Sequence, residues 1–179
     1  MKRESLTAAL FILLALGLSA AAAQGCCAPI LIPPARSTQV PPSGERGVLN
    51  TQVSLTYGKT LTLDTYRGQP LVLAVFSTTC PSCVSELKAL ARLQAAGTKV
   101  LLVSGQDTLP DLVRFAQNQR LPFPVGRVAP QFIAQLKILA YPTVVVLDAR
   151  GRAVTRQQGT ADVQSLQNTL AGLRTTQGR

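Results

Sequence analysis

One stretch, Leu71 to Glu86, constrains the fold of this chain more than any other. A short apolar run rich in valine and leucine leads directly into Cys80-Pro-Ser-Cys83, and an amphipathic helical pattern begins immediately behind the cysteines. A short apolar run followed by helical periodicity is typical of a buried strand joined to a helix. Because proline suits the first turn of a helix, the pattern predicts a strand, an exposed turn and a helix that starts at Cys80.

The placement of the cysteines at this junction points to redox chemistry. At a helix N-terminus, unpaired N–H groups and the positive end of the helix dipole favour a thiolate, so we expect Cys80 to be the reactive cysteine. Cys83 lies one turn further into the helix, less exposed but near enough to close a disulfide with Cys80. One cysteine is therefore predicted to attack, while the other resolves the resulting mixed disulfide.

A Cys-x-x-Cys pair has two other interpretations, half of a zinc site or a structural bridge. A tetrahedral zinc site takes four ligands from cysteine, histidine or carboxylate, and this chain has no histidine and one further cysteine pair, Cys26-Cys27. A bridge that closes so short a loop constrains the unfolded chain little. With a strand before it and a helix after it, the pair is predicted to be a redox centre that uses no metal and no cofactor.

The N-terminal residues have the pattern of a targeting segment. Basic residues precede the apolar run Leu6–Leu18, and Ala20–Ala23 supplies an A-x-A cleavage pattern, so residues 1–23 are predicted to be a signal peptide. The apolar stretch is also at the short end of a membrane span, which leaves an uncleaved membrane anchor open. The small residue before Cys26 leaves lipidation of that cysteine as a third alternative.

The rest of the chain divides into a tether and a folded domain. Residues 24–46 are punctuated by prolines, with serine, threonine and glycine between them, and are predicted to form an extended tether. Residues 47–179 are predicted to be the folded domain, in which short apolar runs alternate with helical patterns. The expected strands are 53–55, 60–63, 71–76, 99–104, 143–147 and 153–157, and helices are expected behind Cys80, from Pro110, from Pro130 and through Val163–Leu173.

This alternation predicts the fold class. Strands and helices that alternate, and then end in an antiparallel hairpin and a last helix, form an α/β fold with a central mixed sheet flanked by helices. The paired strands around Tyr57-Gly58-Lys59 add a hairpin at the N-terminal end of the domain.

Further motifs make this prediction specific. The segment GQPLVLAVFSTTCPSC is followed by Tyr141-Pro142-Thr143 leading into a strand, and then by Asp148-Ala149-Arg150-Gly151. Together these segments resemble the thioredoxin fold, and in detail they are similar to the TlpA/ResA-like exported thiol-disulfide oxidoreductases. The resemblance covers residues 48–173, and the segment between the strands at Lys99 and Thr143 fits the extra strand and helix of that family.

The resemblance implies roles for individual residues. Cys80 matches the attacking cysteine and Cys83 the resolving one. Glu86 matches a glutamate beside the active site, where a carboxylate can move a proton to or from the buried thiol. Alternatively, Glu86 is an ordinary acidic residue in the first helical turn, favoured by the helix dipole. Pro142 matches a proline whose preceding peptide bond is cis, which would place the Tyr141 backbone where an extended substrate can pair with it.

Two positions depart from the family pattern. Thr79 stands where relatives usually carry tryptophan, and the chain contains no tryptophan at all. Ala74 stands where thioredoxins proper have a buried aspartate. Both changes bear on the redox poise, so the sequence leaves the direction of electron flow open.

The formal net charge of +10 adds little specificity. A strongly basic protein can meet nucleic acid or an anionic membrane surface. The arginines and lysines are scattered along this chain, however, and no nucleic-acid-binding motif accompanies them. A solvated basic surface is the better interpretation, and no nucleic-acid partner is expected.

The sequence therefore predicts an exported thiol-disulfide oxidoreductase in the periplasm or another extracytoplasmic space, with membrane association through its N-terminus as an open alternative. The resemblance implies that it reduces disulfides of exported proteins, for example in cytochrome c maturation, and that a membrane electron donor recharges it. One alternative is a peroxiredoxin-like thiol peroxidase, although the Pro-x-x-x-Thr-x-x-Cys spacing is absent before Cys80. The other is a noncatalytic binding module built on the same fold.

Overall fold

The computed structural model of the protein describes residues 37–38 and 48–177. The predicted signal peptide, the candidate lipidation site Cys26 and most of the predicted tether lie outside the described residues. Ser37–Thr38, inside the predicted tether, form a short strand. Among the described residues, no helix is both long and apolar enough to cross a membrane. The boundaries between signal peptide, tether and domain stay predictions.

One mixed sheet organises the described part of the chain. Its strands lie in the order β1-β8-β7-β4-β5-β6-β2-β3. β5 pairs in parallel with β4 and with β6, and every other neighbouring pair is antiparallel. The strands are β1 (Ser37–Thr38), β2 (Gln52–Leu55), β3 (Thr60–Thr62), β4 (Leu71–Val75), β5 (Lys99–Ser104), β6 (Val125–Arg127), β7 (Thr143–Leu147) and β8 (Ala153–Gln158).

Helices cover both faces of this sheet. Those in the described residues are α1 (Pro81–Ala95), α2 (Leu109–Gln119), α3 (Pro130–Gln135) and α4 (Val163–Gln177), together with a 3-10 turn at Leu63–Tyr66. Buried residues of α1, α2 and α4 share one apolar core, and those of α3 share a second core with the β2–β3 hairpin. The predicted architecture, a mixed sheet flanked by helices with an N-terminal hairpin, is confirmed.

Strand β4 lies in the middle of the sheet and is buried along its whole length. Successive side chains of a strand point to opposite faces. Val72 and Ala74 accordingly contribute to the core under α1, whereas Leu71, Leu73 and Val75 contribute to the core under α3. The chain that leaves β4 must therefore emerge at the edge of the sheet, between two packed layers.

One detail of α1 differs from the sequence expectation. The helical spacing of the apolar residues Val84, Leu87 and Leu90 predicts that all three share the inward face, but Val84 is 38% exposed, whereas Leu87 and Leu90 are buried. The inward face instead passes through Cys83, one position earlier in the chain, because side chains three and four residues apart lie on the same side of a helix. The helix is therefore rotated so that a cysteine faces the core.

Strand β6 approaches the hairpin so closely that only glycine fits at its centre. A Cβ atom on Gly126 would lie 2.5 Å from Val53 Cγ1 and 2.9 Å from the Ser54 carbonyl oxygen. We expect Gly126→Ala to lower the free energy of unfolding by about 1–3 kcal/mol, because the strands must separate to admit the methyl group. Urea unfolding measures this change.

Gly172→Ala is the matched control for that substitution. A Cβ atom at Gly172, in α4, would meet nothing within 4 Å. Because alanine is favoured over glycine in a helix by about 0.8–1 kcal/mol, this variant should be at least as stable as the wild type. A Gly126→Ala variant with the wild-type urea midpoint would contradict the close approach of β6 and β2.

Candidate active site

The cysteine pair lies where β4 gives way to α1. The chain turns between the two elements, and the Cys80 N–H donates to the Ser77 carbonyl at 3.2 Å. Cys80 is the N-cap of α1, with an extended backbone, and Pro81 occupies the first turn. Proline is tolerated there because the N–H that it lacks would have no partner inside the helix.

The two cysteines differ sharply in exposure. They form a disulfide, with their Cα atoms 5.3 Å apart. Cys80 is partly exposed, whereas Cys83 is 1% exposed and belongs to the core under α1. Solvent and a protein partner can therefore reach the Cys80 sulfur but not the Cys83 sulfur.

The surroundings of Cys80 favour negative charge on its sulfur once the disulfide is opened. The first turn of α1 contains no acidic residue, and no side chain caps the helix. The Ser82 hydroxyl lies 3.3 Å from the Cys80 sulfur and can donate a hydrogen bond to a thiolate. The free N–H groups and dipole of the helix act in the same direction.

Glu86 lies one turn behind Cys83 on the buried face of α1 and is only 2% exposed. Its Oε2 accepts a hydrogen bond from the Ala161 N–H at 3.0 Å, whereas Oε1 has no partner among the described residues. Burial raises the pKa of Glu86, and the hydrogen bond from Ala161 lowers it by a smaller amount. This carboxyl is therefore a weaker acid than an exposed glutamate, and it lies beyond the first turn of α1, away from solvent.

The peptide bond between Tyr141 and Pro142 is cis. Pro142 is buried and Tyr141 is half-buried, immediately before β7. Tyr141 packs against the same core cluster as Cys80. The structure therefore brings the segment before β7 and the start of α1 to the same region of the fold.

Sequence reasoning missed one residue of this region, Asp107, in the loop after β5. Its carboxylate accepts hydrogen bonds from the Thr78 N–H at 3.1 Å and from the Thr78 hydroxyl at 2.6 Å. The signal that could have found it is an aspartate just beyond a buried strand, since functional residues gather at the carboxyl ends of parallel strands. Burial raises the pKa of Tyr141, and the charge of Asp107 raises it further.

In residues 37–38 and 48–177, no three histidine, cysteine, aspartate or glutamate side chains cluster in a way that could hold a metal ion.

Sequence comparison assigns the family. The profile of the AhpC/TSA family matches residues 47–155, more than half of the chain, and the protein therefore belongs to that family.

Two relatives of this chain are thiol:disulfide interchange proteins. The thiol:disulfide interchange protein DsbE of Vibrio cholerae is 26% identical over 118 residues, which cover 65% of this chain and 64% of the relative. The protein of the same name from Allochromatium vinosum is 29% identical over 109 residues, covering 59% of this chain and 60% of the relative. The chain thus spans less than two thirds of the length of either relative.

A solved structure confirms the thioredoxin-like fold. A secreted Mycobacterium tuberculosis disulfide oxidoreductase homologous to E. coli DsbE superposes with a TM-score of 0.62 at 19% identity. The superposition covers 72% of this chain and 99% of that structure. The superposition shows the fold, and the resemblance to thiol-disulfide oxidoreductases is carried by the two relatives.

The buried carboxyl of Glu86 should make stability depend on pH. Because its pKa is higher in the folded than in the unfolded chain, the folded protein keeps the proton to higher pH. The free energy of unfolding should then fall as pH rises from the ordinary glutamate range, about 4.3, through the raised pKa. Glu86→Gln should lack this decrease, so the variant gains stability relative to the wild type across that window.

Urea unfolding of the oxidised proteins over a pH series measures the effect. Asp64→Asn is the control, because Asp64 forms an exposed ion pair with Arg67. A difference between Glu86→Gln and the wild type that stays constant with pH would contradict the assignment of a raised pKa to Glu86.

Proposed function

We propose that the protein is an exported thiol-disulfide oxidoreductase that reduces disulfides of other exported proteins. The observation that carries the proposal is the asymmetry of the cysteine pair, since Cys80 is partly exposed at a helix N-terminus and Cys83 is 1% exposed in the core. An attacking cysteine must reach its substrate as a thiolate, and a resolving cysteine must be shielded from it. Each cysteine has the environment that one of these roles requires.

The reaction starts from the reduced pair. The Cys80 thiolate attacks one sulfur of a substrate disulfide, a Cys80–substrate bond forms, and the other substrate sulfur leaves as a thiolate that takes up a proton. Cys83 then loses its proton and attacks the Cys80 sulfur, which releases the second substrate thiol. Two electrons have passed from the dithiol to the substrate, and the Cys80–Cys83 disulfide remains.

Glu86 is proposed to handle the proton of Cys83. The two residues are one helical turn apart on the buried side of α1, and no solvent reaches either of them freely. A buried thiol needs a nearby base to ionise, and burial, which raises the pKa of Glu86, makes its carboxylate a stronger base than that of an exposed glutamate. Its unpartnered Oε1 is free to accept that proton.

Tyr141 and Pro142 are proposed to bind the substrate chain. The backbone before Pro142 can pair with an extended peptide, as strand addition does elsewhere. Recognition through backbone groups favours substrates that are unfolded around their disulfide, such as newly exported proteins. A membrane electron donor would return the oxidised pair to the dithiol, and the predicted signal peptide, anchor or lipidated Cys26 would keep the domain outside the cytoplasm.

A trapping experiment tests the assignment of the two cysteines. In a background with Cys26→Ser and Cys27→Ser, reduced Cys83→Ser should form a stable mixed disulfide with insulin, because Cys80 attacks and nothing displaces it. Cys80→Ser should trap little insulin, because the remaining thiol is buried. Non-reducing electrophoresis and peptide mass measurement identify the linked residue.

Other outcomes of that experiment separate the alternatives. Trapping through Cys83 would reverse the proposed roles. Absence of trapping together with rapid consumption of hydrogen peroxide by Cys80 would favour a thiol peroxidase. Inertness toward both insulin and peroxide would favour a noncatalytic binding module.

Glu86→Gln tests the proton-handling role. The variant should slow the second step, release of substrate by Cys83, by about a hundredfold or more near neutral pH, as loss of a general base does. The first step should be unchanged, because Cys80 depends on the helix N-terminus. Single-turnover kinetics of both steps over a pH series measure this. A resolution step with the wild-type rate and pH profile would remove Glu86 from the mechanism.

A further inference from the structure

The loops that follow β4 and β5 lie side by side. The two strands are parallel, with Val75 opposite Val103. Their pairing continues past the end of β4, since the Phe76 N–H donates to the Val103 carbonyl at 3.1 Å. Parallel strands release their chains at the same edge of a sheet, so the loop that leads to Cys80 runs next to the loop that leads to α2.

A compact turn shapes the second loop. Ser104 is fully buried, and its hydroxyl donates to Asp107 Oδ2 at 2.6 Å. The same hydroxyl accepts from the N–H groups of Gln106, at 3.3 Å, and Asp107, at 3.1 Å. The Arg127 side chain donates to the Asp107 carbonyl at 3.1 Å. The carboxylate of Asp107 is therefore held in one place, directed at the neighbouring loop.

That carboxylate binds the loop before Cys80 at several points. Besides its bonds with the Thr78 N–H and hydroxyl, Asp107 accepts a long hydrogen bond from the Ser77 hydroxyl at 3.4 Å. Bonds to an ionised acceptor are stronger than those between neutral groups. In the segment Ser77-Thr78-Thr79, every hydroxyl is thus bonded to Asp107 or to a group bonded to it.

Ser77 links this hydrogen-bonded loop to Cys80. The Ser77 side chain is 2% exposed, and its oxygen accepts from the Thr79 N–H at 3.3 Å. Its carbonyl accepts from the Cys80 N–H at 3.2 Å. The orientation of the peptide unit before the attacking sulfur therefore depends on how Ser77 and Thr78 are held.

We propose that Asp107 is a positioning residue of the redox site. Its carboxylate fixes the loop segment Ser77–Thr79 so that the Cys80 sulfur faces an incoming disulfide. The inference rests on the proposed function. Asp107 touches neither sulfur, and it acts through the loop alone. In-line attack on a disulfide is sensitive to geometry, and a displacement of about 1 Å can cost about a hundredfold in rate.

Two substitutions separate the hydrogen bonds of Asp107 from its charge. In Asp107→Asn, the amide oxygen can keep the bonds from the Thr78 N–H and Ser104. The amide nitrogen then faces the Thr78 and Ser77 hydroxyls, which can rotate to accept. Asparagine therefore preserves the positioning without the charge, whereas alanine removes both.

The experiment measures the rate at which Cys80 attacks a small aromatic disulfide, in full-length protein with Cys26, Cys27 and Cys83 changed to serine. The rate constant is measured at a pH where Cys80 is fully ionised, so that a change in the pKa of Cys80 does not alter the measured value. Asp107→Ala should lower this rate constant at least tenfold, and Asp107→Asn should stay within about threefold of the wild type. Asp111→Ala is the matched control, because Asp111 lies close by in the first turn of α2 and, among the described residues, its carboxylate bonds Thr108 and Arg114 but not the loop before Cys80.

Thr78 gives an independent test that leaves the aspartate in place. Thr78→Val removes the hydroxyl bond to Asp107 and should lower the rate constant about threefold or more, whereas Thr78→Ser keeps the hydroxyl and should restore it. Wild-type rate constants in both Asp107→Ala and Thr78→Val would overturn the inference, as would an Asp107→Asn variant as slow as Asp107→Ala. Failure of the starting protein, with Asp107 intact, to attack disulfides would overturn the proposed function itself. A starting protein that attacks disulfides while Asp107→Ala and Thr78→Val keep its rate constant would overturn only the role of Asp107.

Discussion

The burial of β4 on both faces is the constraint on which the rest of the structure depends. The strand pairs with β5 on one side and β7 on the other, and none of its residues reaches solvent. The chain therefore surfaces only beyond the buried residues Phe76 and Ser77, and α1 follows from Pro81 and packs on the core that contains Val72 and Ala74. This geometry delivers Cys80 to the edge of the sheet and leaves Cys83 in the core beneath the first turns of the helix.

The same packing creates two different chemical environments within one helical turn. Cys80 meets water, helix N–H groups and the Ser82 hydroxyl, all of which stabilise negative charge. Cys83 and Glu86 meet apolar side chains, which disfavour negative charge and raise the pKa of Glu86. A dithiol that attacks with one sulfur and resolves with the other needs this difference, and the packing of α1 on the sheet supplies it.

Elements whose local sequence pattern indicates one structure could be predicted from the sequence. The predicted strands 99–104 and 143–147 match β5 and β7 residue for residue, because a short continuous run rich in β-branched residues is typical of a buried strand. The start of α1 followed from Pro81 and the helical spacing behind it. The fold class, the cysteine pair and the cis bond before Pro142 were reached in the same way, through local motifs and the family that they resemble.

Features that depend on contacts between distant segments could not be predicted. The resemblance implied an extra strand between β5 and β7, but its position could not be predicted. Strand β6 has three residues with a glycine in the middle, so its partners and not its composition make it a strand. The bond from Ala161 to Glu86 joins residues 75 positions apart, and the bonds from Asp107 to Thr78 span 29. Sequence spacing cannot reveal such pairs, because the sheet order that brings them together is itself a tertiary property.

The reduction potential of the Cys80–Cys83 pair tests the central claim most directly. The protein with Cys26 and Cys27 changed to serine is equilibrated with dithiothreitol or glutathione buffers, and modified thiols are counted by mass. The account predicts that both thiols disappear together in one two-electron transition, at a potential nearer that of thioredoxin, about −270 mV, than that of a strong oxidant, about −120 mV. Thiols that oxidise independently, or that do not cycle at all, would contradict the claim that this pair is a reversible redox couple.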